Sequence, residues 1–180
     1  MSTPTYDAKV ARRERLNETV TPAAEARTRD WIIDDLIAAD YGATPVGRFE
    51  NVDRILLRWD RPDWFEYLPD AAAPFSFTRA SGEVIAPERM ITDGGSVPRW
   101  FWAKQGLSPW GHVPAFLVHD WEFDQHHAGA EKNFEAVRDT IAEALKTLME
   151  TGVTPRSEAT FRMIYAGVSS WIAKKLWAEN

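Results

Sequence analysis

Residues 75–92 read FSFTRASGEVIAPERMIT, and the order of elements around this stretch decides the fold class. Residues 75–78 alternate apolar and polar side chains, as a half-buried strand does. The pair Ser81-Gly82 is typical of a turn, and residues 83–85 after it predict the second strand of a hairpin. Residues 90–92 predict one more short strand, so the stretch indicates antiparallel β structure.

Strand-like segments continue upstream of this hairpin, at residues 55–59 and 64–68, with Pro62 between them. The middle third of the chain is therefore predicted to form a small antiparallel sheet. Downstream the pattern becomes helical, with helices expected over residues 98–105, 113–125, 130–150 and from 155 to the end, the last capped by Thr154. Because strands precede a bundle of about four helices, the sequence predicts an α+β fold.

The N-terminal part carries no strand signal. Residues 1–20 are polar, and we expect an arm with a short helix around residues 8–16. Thr21-Pro22 then provides an N-cap and a first-turn proline for a helix that Gly42 ends. No linker able to separate two domains follows, so residues 21–180 are predicted to form a single domain.

The composition of the chain excludes several classes of function. The 180 residues contain 27 Asp and Glu against 21 Lys and Arg, and this net charge of −6 argues against a nucleic-acid partner. The lack of cysteine excludes thiolate catalysis and cysteine-based metal sites. Neither a signal-peptide pattern nor a transmembrane run is present, so a cytoplasmic protein is expected.

Residues 115–121 read AFLVHDW, an apolar helical segment interrupted by His119 and Asp120. A helix that is apolar on all sides is buried, so this pair is expected to enter the core or to line a cleft. Neighbouring helical residues project about 100° apart, and we therefore expect the two side chains to face different neighbours rather than each other. That arrangement suits a base beside a metal ligand, and a satisfied structural pair is the alternative.

The end of the same helix is rich in potential metal ligands. Three histidines and three carboxylates fall within residues 119–127. Imidazole with carboxylate is typical of zinc or manganese, and carboxylates alone are typical of calcium or magnesium. Candidates for a secondary metal site are Asp124, His126 and His127, although their spacing matches no strict zinc motif and a solvated helix end is the alternative.

Residues 92–99 read TDGGSVPR and form the second informative stretch. Two adjacent glycines permit a tight backbone path with accessible N–H groups, and the serine is a natural N-cap for a short helix. We therefore predict an anion- or oxyanion-binding loop beside the His-Asp helix, with an ordinary strand-to-helix turn as the alternative. The residues of this loop are Asp93, Gly94, Gly95 and Ser96. A Ser96-His119-Asp93 triad is a further alternative, without a nucleophile-elbow sequence to support it.

Together these stretches resemble a phage- and prophage-associated family, the Domain of Unknown Function thirteen-fifty-three. The family pattern is T-D-[FG]-A-S-V-P, followed by a Trp, a Pro/Gly segment and A-x-x-x-H-D-x-x-Y. The corresponding residues here are 92–98, Trp102, 109–111, Ala115, 119–120 and 123, and residues 162–165 fit the closing helix of the family. The similarity covers roughly residues 75–177. Two departures from the pattern matter. Phe123 replaces the tyrosine, and the A-D-x-x-F motif is not cleanly present, with Asp139 as the best candidate for its acid and Glu131 as the other.

The His-Asp helix also resembles that of phospholipase A-two. This similarity implies that His119 is the general base, Asp120 a calcium ligand and Asp139 the residue that orients the histidine. Calcium would polarise the carbonyl while the imidazole takes the proton of water, with zinc as the less expected metal and no organic cofactor. The missing tyrosine, the lack of disulfides and the absence of a recognisable calcium loop depart from that pattern.

Two functional hypotheses follow. The first is a His-Asp hydrolase, a metal-assisted esterase that acts on a small-molecule or lipid ester in a phage or prophage context. The second is a non-catalytic virion or tail-assembly component, whose partners are other phage structural proteins and whose motifs are structural. Both place the protein in the cytoplasm of a bacterial host, and the second also places it in a phage particle.

Overall fold

The computed structural model describes residues 6–19, 38–94 and 109–179. Within these ranges a helix is followed by six strands and then by further helices, which confirms the α+β class and the order of its parts. The elements are α1 (Tyr6–Thr19), β1 (Arg48–Glu50), β2 (Leu56–Arg61), β3 (Trp64–Leu68), β4 (Ser76–Thr78), β5 (Val84–Ile85), β6 (Met90–Thr92), α2 (Val113–His127), α3 (Phe134–Glu150), α4 (Glu158–Ser169) and α5 (Trp171–Ala178).

The strands form two three-stranded antiparallel sheets rather than the single sheet predicted, with orders β1-β4-β5 and β2-β3-β6. The predicted hairpin is present, since Phe77 on β4 lies opposite Ile85 on β5. The division into two sheets, where one was predicted, arises from β1, a three-residue strand too short to be recognised in the sequence. Phe49 of β1 pairs with Phe77 across the strands, and their ring centroids lie 4.6 Å apart. This contact joins β4 to β1 instead of to the second sheet.

The main core lies between the first sheet and the helices. The apolar stripe predicted on α3 is buried, and its C-terminal part packs in one cluster with Phe77 of the sheet, Phe116 of α2 and Phe161 of α4. Its first two residues, Phe134 and Val137, pack in a second cluster with α5. The buried residues of that stripe are Phe134, Val137, Ile141, Leu145 and Leu148. Because α2 is covered by α3 on one side and by β6 on another, its His-Asp pair is enclosed, as the apolar sequence around it predicts.

The C-terminal helix differs from its prediction in both its start and its continuity. Ser157, not Thr154, is the N-cap, and its Oγ accepts a hydrogen bond from Thr160 N–H at 3.2 Å. Thr154 instead closes α3, since its N–H donates to Leu148 O at 3.1 Å. Ser170 has an extended backbone with ψ of 160°, which ends α4 and caps α5.

The segment predicted as a polar arm forms α1, longer than the short helix expected. Val10 is buried, and α1 contacts α5. Lys9 Nζ donates to the carbonyl oxygen of Ile91 on β6 at 2.7 Å, so α1 is fixed against the second sheet as well. No described helix is both long and apolar enough to cross a membrane. The helix predicted from Pro22 to an end at Gly42 is described only at its last residue, Ala38, so it ends four residues before that glycine. The helix predicted over residues 98–105 lies outside the described residues.

Candidate functional site

The His-Asp pair of α2 lies against the end of β6. Thr92 Oγ1 donates to Asp120 Oδ2 at 2.6 Å, and the same hydroxyl oxygen accepts a hydrogen bond from Gly94 N–H at 3.0 Å. The first residues of the TDGGSVPR stretch are therefore within side-chain reach of α2. Gly95 and Ser96 lie outside the described residues, and the rest of the predicted loop is described only for Asp93 and Gly94.

His119 is fully enclosed, with 1% of its surface exposed, and neither ring nitrogen makes a hydrogen bond to any described residue. Its Nδ1 lies 3.6 Å from Asp120 Oδ1, which is beyond hydrogen-bond distance but close enough for electrostatic attraction. As predicted, the two side chains are not hydrogen-bonded to each other, and Asp120 Oδ2 accepts from Thr92, but Asp120 Oδ1 is turned towards the imidazole. The angle between adjacent helical residues fixes their Cβ directions only, and the side-chain torsions can still bring the ring and the carboxylate near each other.

Asp139, predicted to orient His119, is not in contact with it. Asp139 lies on the exposed side of α3, where it accepts hydrogen bonds from Arg138 Nε at 3.1 Å and Nη2 at 2.9 Å. The opposite face of α3 carries the buried stripe, and no described element covers Asp139, which is exposed. The alternative acid, Glu131, is also exposed. The carboxylate closest to His119 in the structure is its own neighbour, Asp120.

A lysine of α1 lies beside the carboxylates Asp120 and Asp124 of α2. Lys9 Nζ lies 2.9 Å from Asp124 Oδ1. Burial lowers the pKa of Lys9, but Asp124, Asp120 and Asp93 together raise it above its ordinary value. Burial likewise raises the pKa of Asp120, but His119, Lys9 and Thr92 hold that pKa below its usual range. Lys9 is therefore a described cation whose charge acts on Asp120, the residue for which the phospholipase A-two resemblance implies a calcium ion.

The secondary metal site predicted from Asp124, His126 and His127 is not assembled. His126 Nε2 lies 3.1 Å from the carbonyl oxygen of Trp177, and His127 Nε2 lies 3.1 Å from that of Leu176. The last carbonyls of a helix have no partner within it, so the two rings serve α5 as C-terminal donors. Asp124 is occupied by Lys9, and in the described parts of the chain no three His, Asp or Glu side chains form a metal-binding group.

A small cavity of about 40 Å³ lies between α1, α2 and α5. Its walls combine three basic side chains and three carboxylates with apolar groups, namely Lys9, Arg12, Arg13, Trp64, Asp93, Asp120, Phe123, Asp124, His127 and Leu176. Arg13 Nε lies 3.1 Å from Asp93 Oδ2, which closes one side of the cavity. Burial and the nearby Arg12 charge lower the pKa of His127 to about 4, so this wall residue is neutral at neutral pH.

The basic residues of α1 are the part of the site that the sequence did not reveal. Lys9, Arg12 and Arg13 are spaced three and four apart, so they share one face of the helix. That spacing was the available signal. A polar segment with four basic residues and no apolar stripe gives no indication, however, that this face packs among carboxylates 80 or more residues away in the sequence.

Comparison with known proteins gives one match. A family described as "Protein of unknown function (DUF1353)" matches residues 70–173, more than half of the chain. The matched segment includes Thr92, His119 and Asp120, whereas all of α1 lies outside it. No curated protein and no solved structure matches the chain significantly. The chain therefore belongs to the DUF1353 family of proteins of unknown function.

Proposed function

We propose that the protein is a His-Asp hydrolase in which His119 activates water for attack on an ester bond. The observation that supports this most directly is the buried imidazole whose two nitrogens have no hydrogen-bond partner among the described residues. In folded proteins about 90% or more of buried polar groups are hydrogen-bonded, and exceptions call for a functional or solvent explanation. The likeness of the His-Asp helix to phospholipase A-two supports the same chemistry.

Asp120, rather than Asp139, takes the orienting role in this proposal. With the Nδ1 proton directed at Asp120 Oδ1, 3.6 Å away, Nε2 keeps its lone pair and serves as the base. Catalytic hydrogen bonds are often long before substrate binds, so this separation is compatible with the role. Because the pKa of Asp120 is held low, its carboxylate is ionised at neutral pH and stabilises the imidazolium that forms.

The reaction needs no covalent intermediate. Nε2 of His119 takes a proton from water as the oxygen forms a bond to the ester carbonyl carbon. The tetrahedral intermediate then breaks its bond to the alcohol oxygen, which receives the proton from the imidazolium, and the products are a carboxylic acid and an alcohol. The Gly94 N–H donates to Thr92 Oγ1, so it takes no part in the oxyanion binding predicted for this loop.

His119 does not line the cavity and is only 1% exposed, so substrate access requires movement of the side chains that enclose it and of α1. The side chains of α1 close the cavity through two ion pairs, Lys9 with Asp124 and Arg13 with Asp93. Both pairs are largely buried, so displacing them costs about 2 kcal/mol each, which substrate binding must supply. Because Lys9 already provides the positive charge near Asp120, we expect hydrolysis to proceed without added calcium or zinc.

The experiment compares wild type, His119→Ala and the control His126→Ala. Small p-nitrophenyl esters and mixed phospholipid vesicles are tested with calcium and with chelator. General-base catalysis contributes about 10²- to 10⁴-fold, so His119→Ala should lower kcat/KM by that factor. His126→Ala removes a histidine of the same helix outside the cavity and should retain wild-type turnover.

The result that contradicts the proposal is equal turnover by wild type and His119→Ala on every ester tested. The motifs would then be structural, and the non-catalytic phage component would be the better hypothesis. A loss of turnover in chelator that calcium restores would retain the hydrolase and overturn only the role given to Lys9.

A further inference from the structure

The strand β2 is an edge of the second sheet. In the described parts of the chain only β3 pairs with it, and every residue of β2 except Leu57 is exposed. Trp59 near its middle is 62% exposed. The outer side of an edge strand presents backbone N–H and C=O groups that can pair with a further strand, so β2 offers a template for association.

The two faces of β2 carry different chemistry. On one face Trp59 lies opposite Phe65 of β3, whose ring centroid lies 4.4 Å from that of Trp110. On the other face Arg58 lies opposite Glu66 and forms an ion pair with it. A strand added beside β2 would therefore extend a row of aromatic rings on one face and a row of charges on the other.

The sequence of β2 is complementary to itself in one register. Two identical antiparallel strands are related by a two-fold axis perpendicular to the sheet, and because opposed residues share a face, the axis passes through a residue. An axis at Trp59 places Trp59 opposite its own copy and Arg58 opposite Asp60 twice. An axis at Arg58 or at Asp60 opposes like charges, and an axis at Leu57 brings no opposite charges together within β2.

We propose that β2 is a self-association edge, through which two copies of this chain pair antiparallel about Trp59 and join their second sheets into one. On one face the charges then alternate in sign, from Glu66 to Arg58 to Asp60 of the second copy. On the other face the Trp59 and Phe65 rings of both copies form one row. The register between β2 and β3 shifts between Trp59 and Arg61, so the regular ladder offered to the second copy ends at Asp60. This inference goes beyond the proposed hydrolase and holds whether or not His119 is a base.

The first test measures the molar mass of the full chain by analytical ultracentrifugation over a wide range of protein concentration. Wild type should rise from the mass of one chain towards that of two. Asp60→Lys places a lysine opposite Arg58 of the second copy and should weaken the dimer about tenfold. Asp53→Lys makes the same charge change at an exposed position outside β2 and should associate like wild type.

The second test measures the register. The chain has no cysteine, so a single introduced cysteine can form a disulfide only between two copies. Opposed residues of antiparallel strands have Cα atoms about 4.5–5.5 Å apart, which is within disulfide range, so Trp59→Cys should cross-link under mild oxidation. Arg61→Cys is the control, because an axis at Trp59 puts its two copies about 14 Å apart along the strands.

Three results would overturn the proposal. The first is a wild-type mass that stays at one chain at every concentration. The second is equal dissociation constants for the dimers of Asp60→Lys and Asp53→Lys, which would place the contact outside β2. The third is cross-linking of Arg61→Cys as fast as that of Trp59→Cys, which would exclude the axis at Trp59.

Discussion

Two buried polar groups on neighbouring helices are equally enclosed but differ in their hydrogen bonds. Glu143 of α3 is 1% exposed, and it accepts hydrogen bonds from Arg79 Nε at 3.1 Å and from the N–H of Ala80. His119 of α2 is also 1% exposed and makes no hydrogen bond to the described residues. Burial is the same for both groups, so the functional role proposed for His119 depends on the difference in their hydrogen bonds.

The largest difference is expected when both groups are replaced by leucine. Glu143→Leu leaves Arg79 and the Ala80 N–H without their acceptor, and breaking a buried pair in this way costs about 3 kcal/mol of unfolding free energy. His119→Leu removes no hydrogen bond and keeps a similar volume, so its unfolding free energy should stay within about 1 kcal/mol of wild type. Urea denaturation measures both. A cost for His119→Leu as large as that for Glu143→Leu would show that His119 is structural.

Replacing Lys9 tests whether the residues near His119 also stabilise the fold, through the Lys9–Asp124 pair. Lys9→Met leaves Asp124 buried without its cation, and the partly buried pair should contribute about 2 kcal/mol to the unfolding free energy. Lys174→Met removes the same charge from an exposed position of α5 and is the matched control, expected to change stability by less than about 0.5 kcal/mol. Equal effects would mean that α1 is not fixed by the Lys9–Asp124 pair.

The same comparison shows which parts of the structure the sequence could predict. The strands at residues 64–68 and 90–92 and the buried stripe of α3 follow from local periodicity, which is a property of neighbouring residues. The pairing of Lys9 with Asp124 joins residues 115 positions apart, and no local pattern contains it. The role given to Asp139 failed for the same reason, since it depended on a layer that the fold does not place over that face.

Asp120→Asn separates the lysine and calcium hypotheses for the cation. Asparagine keeps an oxygen that accepts a hydrogen bond from Thr92, but it loses the charge that attracts Lys9. We therefore expect the unfolding free energy to fall by about 1 kcal/mol and the Tm to fall by a few degrees. Because Lys9 fills the cation position, calcium should shift the Tm of neither protein. Stabilisation of wild type alone by calcium would instead identify Asp120 as a metal ligand.

The smallest effect concerns His127, whose pKa is lowered from 6.5 to about 4 by burial and by the charge of Arg12. Below pH 6.5 the unfolded chain takes up a proton that the folded protein refuses, so the folded state loses stability as the pH falls from 6.5 to about 4. A shift of this size corresponds to about 3 kcal/mol at most, and solvent screening at this half-buried ring reduces the expected loss to about 1 kcal/mol.

His127→Gln isolates this contribution, because glutamine retains an N–H that can donate to Leu176 O and does not titrate. Its unfolding free energy should match that of wild type near pH 7 and exceed it by about 1 kcal/mol near pH 4.5. Burial raises the pKa of Glu122 and of Asp124, and these groups act in the opposite direction, but they are common to both proteins and cancel in the difference.

Arg12→Gln should reduce the wild-type pH dependence and Arg15→Gln should not, because only Arg12 lies in the cavity beside His127. Parallel pH profiles for wild type and His127→Gln would show that solvent reaches the ring, and the cavity would then be open on the α5 side.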